Sequence, residues 1–195
     1  YASTNDGGIW NKVTEFSSVI YSLAVLGSDI FAGTYHQGVI HSADNGNNWT
    51  IKQDGLPPYT NIWSLAVGNG NIFAGTDGHG VYLSSNKGGI WSAANDNIFY
   101  QGIRSLAISG DKVFAGTIES GVFFSSNNGN SWIQLNSGLP YKYLDIRCLA
   151  INGDTVFAGV PAYGVLKLPI SSIVGIQDRL EKEHFTIYPN PVNEI

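Results

Sequence analysis

The amino-acid sequence predicts an all-β chain, a β-propeller of four-stranded antiparallel blades with an extended C-terminal tail. Three recurring marks carry that expectation. A Ser/Cys-Leu-Ala-Val/Ile run begins at Ser22, Ser64, Ser105 and Cys148, so the repeat period is 41 to 43 residues. A Phe-Ala-Gly run follows at Phe31, Phe73, Phe114 and Phe157. A turn of the form Ser-x-Asp/Asn-x-Gly-x-x-Trp closes three of the units, at Ser42 to Trp49, Ser84 to Trp91 and Ser125 to Trp132, and another copy stands at Ser3 to Trp10. A unit of about 40 residues, made of short apolar runs separated by Gly/Asn turns, has the length and punctuation of one propeller blade.

The second repeat shows how each unit becomes a blade. Ile62 to Val67 reads as the innermost strand, with Ser64 and Ala66 on one face and Leu65 and Val67 on the other. Both faces are expected to lie against neighbouring blades. Asn69-Gly70-Asn71 is a tight hairpin turn whose residues tolerate positive φ. Ile72 to Thr76 returns as the second strand, and Gly75 allows close approach of a neighbour. After a turn at Asp77 to Gly80, Val81 to Ser84 forms the third strand, and Trp91 opens the outermost one. The fourth repeat departs from this order: after Gly164 to Pro169 it has neither the turn nor a fourth strand. The segment Ser3 to Thr14 is the complement, so the N-terminal strand is expected to complete the last blade and remove its open edge. The chain lacks Met and opens at Tyr1 inside an expected strand. That reads as a mature product or an excised piece, and the repeats fit either a four-bladed ring or part of a larger one.

Composition narrows the function classes. Ten Lys and Arg against fifteen Asp and Glu give a formal net charge of -5, with no basic stripe, which argues against nucleic acid or an anionic membrane surface as partner. No apolar run reaches the roughly 18 residues of a membrane-spanning helix. The lone cysteine, Cys148, stands where other repeats have Ser and is expected to be a buried, inert thiol. No cofactor or metal is called for: His36 and His79 occupy equivalent turns, without a neighbouring Cys or paired acid.

The Ser-x-Asp/Asn-x-Gly-x-x-Trp turn resembles the Asp-box, or BNR repeat, of sialidases, sortilin-type receptors and photosystem II assembly-factor propellers. Its residues are Ser3, Asn5, Gly7 and Trp10; Ser42, Asp44, Gly46 and Trp49; Ser84, Asn86, Gly88 and Trp91; and Ser125, Asn127, Gly129 and Trp132. Their expected role is structural: the Asp or Asn side chain accepts backbone N–H groups, Gly adopts a special conformation, and Trp plugs the hairpin.

Propeller blades are thus expected over residues 1–170. Residues 171–184 hold Asp178, Arg179, Glu181, Lys182 and Glu183 and read as a charged linker. Beyond it, Phe185 to Asn193, with the core Tyr188-Pro189-Asn190-Pro191, resembles the opening strand of the C-terminal sorting domain of Bacteroidetes proteins exported by type IX secretion. That resemblance implies a truncated signal at 185–195, the type IX machinery as partner, and a secreted or outer-membrane-surface location.

In a meander blade the loop leading into the first strand and the turn between strands two and three emerge on one face. That face collects Tyr35, His36, Gln37, Asp77, His79, Glu119 and Tyr163, with Tyr59, Tyr100, Tyr141, Lys142 and Tyr143 from the leading loops. At the mouth of the central channel, the position before each Ser/Cys-Leu-Ala run varies as Tyr21, Trp63, Arg104 and Arg147. Aromatic rings beside Arg, His and carboxylates suit a glycan or protein ligand, and they equally suit loops packed over the blades. The candidate ligand-binding residues are therefore Tyr21, Trp63, Arg104, Arg147, His36, His79 and Tyr163, with no catalytic residue assigned. A non-catalytic binding or scaffold module is the favoured reading. A sialidase-type glycoside hydrolase with catalytic residues partly in missing upstream blades is the alternative, the carboxylates on this face being limited to Asp77, Glu119 and Asp145.

Overall fold

The computed structural model describes residues 1–12, 18–98, 101–136, 144–173 and 186–187. It contains four antiparallel four-stranded sheets, one per repeat. Blade 1 is β1 (Ile20–Leu26), β2 (Asp29–Thr34), β3 (Val39–Ser42) and β4 (Thr50–Lys52). Blade 2 is β5 (Ile62–Gly68), β6 (Asn71–Thr76), β7 (Val81–Ser84) and β8 (Ser92–Ala93). Blade 3 is β9 (Ile103–Ser109), β10 (Lys112–Thr117), β11 (Val122–Ser125) and β12 (Ile133–Gln134). Blade 4 is β13 (Cys148–Asn152), β14 (Thr155–Val160), β15 (Gly164–Pro169) and β16 (Thr186–Ile187), with a helical turn α1 (Ile170–Ile173) after β15.

The innermost strands stand side by side in the order β1, β5, β9, β13. The repeat marks explain how. Each Phe-Ala-Gly phenylalanine of the first three blades, Phe31, Phe73 and Phe114, is fully buried, and each such burial contributes roughly 1.5–3 kcal/mol. The glycine of the same mark receives the isoleucine that opens the next blade. A Cβ on Gly33 would meet Ile62 Cγ2 at 2.8 Å, one on Gly75 would meet Ile103 Cγ2 at 2.7 Å, and one on Gly116 would meet Ile146 Cγ2 at 2.6 Å. The serine of the inner strand adds a polar stitch: Ser64 donates to the Ile103 carbonyl and Ser105 to the Ile146 carbonyl. A threonine after each of the first three Phe-Ala-Gly runs caps the next turn, with Thr34, Thr76 and Thr117 donating to the carbonyls of Gly38, Gly80 and Gly121.

Three expectations are corrected. The outer strand of blade 4 is not the N-terminal segment but β16, in which Ile187 lies opposite Leu166 and Thr186 opposite Lys167. Residues Ala2 and Asn11 instead bridge each other in a separate hairpin. The reason is geometric: the N-terminal hairpin is tethered to β1, at the end of the blade row remote from β13, whereas the tail is tethered to β15 itself. The first residues assigned to the linker, 171–173, are also structured: they continue α1 from Ile170, and Ile173 is buried in the blade 4 core. Lastly, Cys148 is exposed. Its counterparts Ser64 and Ser105 are buried because a further blade covers them, and none covers Cys148. The Tyr188-Pro189-Asn190-Pro191 segment and the remainder of residues 174–185 lie outside the described residues.

Candidate functional site

The four Ser-x-Asp/Asn-x-Gly-x-x-Trp turns share one hydrogen-bond network. In the copy at Ser42, the hydroxyl donates to Asp44 Oδ1 at 2.8 Å and accepts the Gly46 N–H at 2.8 Å, while Asp44 Oδ1 accepts the Asn48 N–H at 2.8 Å. The same set recurs around Ser3 and Asn5, Ser84 and Asn86, and Ser125 and Asn127. Gly7, Gly46, Gly88 and Gly129 all have φ between 78° and 89°, where a side chain would be strained. The oxygens that a cation or ligand would need are spent on the turn. Trp91 and Trp132 are buried, and Trp132 donates to the Ala94 carbonyl of the preceding blade. Trp49 is half-buried, and Trp10, on the N-terminal hairpin, is 61% exposed.

The opposite face carries the variable residues. Its turns bond to the leading loop of their own blade, the Asp77 N–H donating to the Asn61 carbonyl and the Ile118 N–H to Gly102, and to that of the next blade, the Gly80 N–H donating to Gln101 and the Gly121 N–H to Leu144. Three of the four variable positions that precede the Ser/Cys-Leu-Ala runs join in a row through a residue between them. The Arg104 guanidinium lies over the Trp63 ring, 5.1 Å from its centroid, within cation–π range. Arg104 Nε is 2.9 Å from Asp145 Oδ1, and Arg147 Nε donates to Asp145 Oδ2 at 2.7 Å. Asp145 thus holds two guanidinium groups, leaving this patch with one net positive charge. Arg147 is the outward member, with its side chain 58% exposed. Tyr21, the equivalent residue on β1, is 43% exposed.

Asp145 was foreseen only as a candidate acid. A signal for its bridging role was present: Asp145 and Arg147 are two residues apart in an extended segment, hence on one side of the backbone. Arg104 holds the position equivalent to Arg147 in the neighbouring repeat.

A second group lies on the same face between blades 1 and 2. The Tyr35 and His36 rings stack at 3.8 Å, and the Tyr59 ring stands edge-on to His36 at 6.3 Å. His36 adopts φ 61° and donates its N–H to Asn61 Oδ1, and Asn61 Nδ2 donates to Asp77 Oδ2 at 2.5 Å. His79 Nδ1 is 4.0 Å from the other oxygen of Asp77. A groove of about 440 Å³ runs beside His36 and Tyr59, floored by Leu56, Pro57 and Pro58. Among the described residues no group of three His, Cys, Asp or Glu side chains could hold a metal ion. Tyr163 differs from the other candidates: it is half-buried against the blade 4 core. Tyr100, Tyr141, Lys142 and Tyr143 lie outside the described residues.

No family model matches the chain, and no curated protein does. Solved structures do. An ancestral GH74 enzyme aligns with a TM-score of 0.70 over 88% of this chain, at 18% identity. YCF48 from Cyanidioschyzon merolae aligns with a TM-score of 0.65 over 94%, at 12% identity. An extracellular domain from B. thetaiotaomicron, BT4673, aligns with a TM-score of 0.62 over 82%, at 19% identity. This chain spans 24%, 60% and 23% of those three chains respectively. With its four radial sheets, the molecule has the β-propeller fold. The neighbours sharing that fold include an enzyme, so the fold leaves the activity to the site. No helix among the described residues is long and apolar enough to cross a membrane.

Proposed function

We propose that the protein is a non-catalytic binding module whose channel mouth takes a ligand bearing carboxylate or carbonyl oxygens, on a glycan or a protein segment. The observation that carries this reading is the Trp63–Arg104–Asp145–Arg147 row. A guanidinium has five N–H donors. The Nε contact to Asp145 fixes the orientation of Arg147 and leaves donors for a planar oxygen pair. Trp63 supplies an aromatic ring in the same row. Asp145 is paired with two arginines and one oxygen of Asp77 with the Asn61 amide, which supports the binding reading over paired-acid hydrolysis. The glycosidase alternative draws on the GH74 neighbour and on the Asp-box resemblance.

The same proposal gives the protein a secreted or surface location through type IX export, on the strength of the Tyr188-Pro189-Asn190-Pro191 motif. The extracellular neighbour from B. thetaiotaomicron is compatible with it. A glycan and peptide array, run beside a sialoside-turnover assay on the same preparation, tests the function. Binding that is lost in Arg147→Ala without turnover supports the module. Turnover of a sialoside overturns it in favour of the enzyme.

A further inference from the structure

The groove beside His36 and Tyr59 lies between blades 1 and 2, both of which this chain supplies. It is formed by residues 53–59, the loop leading into β5, and by His36 of the turn between β2 and β3. Both walls are anchored. The Trp91 N–H donates to the Asp54 carbonyl, and Gly55 packs against the Trp91 backbone so closely that a Cβ there would meet its carbonyl oxygen. On the other wall, Asn61 accepts the His36 N–H at Oδ1 while its Nδ2 donates to Asp77.

Two ring-bearing residues line this groove in the left-handed backbone region, His36 at φ 61° and Tyr59 at φ 57°. Such a conformation is costly for a bulky side chain and clusters at ligand sites. Tyr59 is 80% exposed, so burial does not explain its placement. Its ring is nevertheless held, edge-on to His36, which stacks on Tyr35. The polar chemistry beside the ring is weighted toward acceptors: an ionised Asp54 accepts only, and Pro57 and Pro58 carry carbonyls without N–H groups. Asp54 is exposed and forms no ion pair with a described residue, and no Lys or Arg is among the described residues that line the groove.

We propose that this groove is a second binding site, which takes the guanidinium of an arginine in a peptide segment, stacked on the Tyr59 ring with Asp54 as its counter-ion. A guanidinium carries five N–H donors and no acceptor, so it suits an acceptor-rich lining, whereas a sugar hydroxyl needs donors as well. It is planar and weakly hydrated, and it stacks readily on an exposed aromatic face. Its charge complements the carboxylate of Asp54. None of Trp63, Arg104, Asp145 and Arg147 takes part, and the ligand group is opposite in charge to the one proposed for them, so the two sites stand or fall separately.

The test is an NMR titration of the full chain with the blocked tripeptide acetyl-Gly-Arg-Gly-amide. The citrulline tripeptide, in which a carbonyl oxygen replaces one nitrogen and the charge is lost, is the matched control. Saturable shifts at His36 and Tyr59 are expected with the arginine peptide, and affinity more than about fivefold weaker with citrulline. Tyr59→Ala and Asp54→Asn should each weaken binding about two- to fivefold, the factor equivalent to an exposed cation–π contact. Tyr59→Phe, which keeps the ring, and Arg147→Ala should both bind like wild type. Tyr59 and Asp54 are exposed, so the variants should unfold close to the wild-type midpoint. The proposal is overturned by the absence of saturable shifts, by equal binding of the two peptides, or by unchanged affinity in Tyr59→Ala or Asp54→Asn. A neutral disaccharide that shifts these resonances where the arginine peptide does not would overturn it in favour of a glycan.

Discussion

Ile103 lies so close to Gly75 that a methyl group on the glycine would stand 2.7 Å from Ile103 Cγ2. Both residues are buried, and the Ser64 hydroxyl stands nearer still to such a methyl group. The contact explains why a Phe-Ala-Gly mark and an isoleucine recur together: one blade supplies the recess and the next fills it.

Gly75→Ala should therefore destabilise the protein by about 1–3 kcal/mol through overpacking. Chemical denaturation measures it. Gly70→Ala is the comparison, since no atom lies within 4 Å of a Cβ there and the strain arises only from its φ of 75°. Ile103→Ala, which removes Cγ2, combined with Gly75→Ala should cost less than the sum of the two single losses, and strictly additive losses would contradict the recess-and-filler account.

The turn tryptophans are predicted to differ by position rather than by motif. Trp91→Ala removes a side chain that is 2% exposed and should cost roughly 3 kcal/mol or more. Trp10→Ala, in the same motif but 61% exposed, should cost less than about 0.5 kcal/mol. Thermal unfolding of the two variants separates them.

Acid stability follows from two carboxylates. Asp29 is held below the ordinary aspartate range first by the hydrogen bond from Lys87 of the neighbouring blade and next by that from His41. Asp44 is held down first by the Asn48 backbone N–H, then by the Asn48 amide and the Ser42 hydroxyl. A carboxyl whose folded pKa is lowered contributes stability above its unfolded value, about 3.9. That contribution is lost as pH falls through the lowered folded value. The Tm of the wild type should thus fall below about pH 4, and the deficit of Asp29→Asn relative to wild type should shrink over the same range. A deficit that stays constant with pH would contradict the assignment.

Residues 186–187 pair with β15 over two positions only, so deleting 186–195 should cost about 1 kcal/mol, the net worth of one or two backbone hydrogen bonds. Amide exchange at Leu166 and Lys167 should quicken while the cores of blades 1 to 3 keep their protection. In a host with type IX export, the same deletion should abolish surface delivery.

The blades were legible because their marks are local. Phe-Ala-Gly, Ser/Cys-Leu-Ala and the turn each fix a strand, a close approach or a hairpin within a few residues. Closure of blade 4 was not legible. Ile9 to Thr14 and Thr186 to Ile187 are both short segments able to pair with β15, and the choice depends on which is tethered near that edge. Cys148 was misplaced for a related reason: its strand position was right, but its burial depends on a blade that this chain does not supply. At the channel mouth the repeat alignment singled out Trp63, Arg104 and Arg147. It missed Asp145, which lies in the leading loop outside the repeated marks.

The most direct test of the channel-mouth assignment is the affinity of the strongest array ligand for wild type, Arg147→Ala and Asp44→Asn, measured by calorimetry on folded protein. The account predicts that Arg147→Ala weakens binding by roughly 1–4 kcal/mol, the range for an arginine anchor, with little loss of Tm. Asp44→Asn, which restores the residue type of the other turns, should bind like wild type. Undiminished binding by Arg147→Ala together with loss in Asp44→Asn would contradict it and move the site to the turn face.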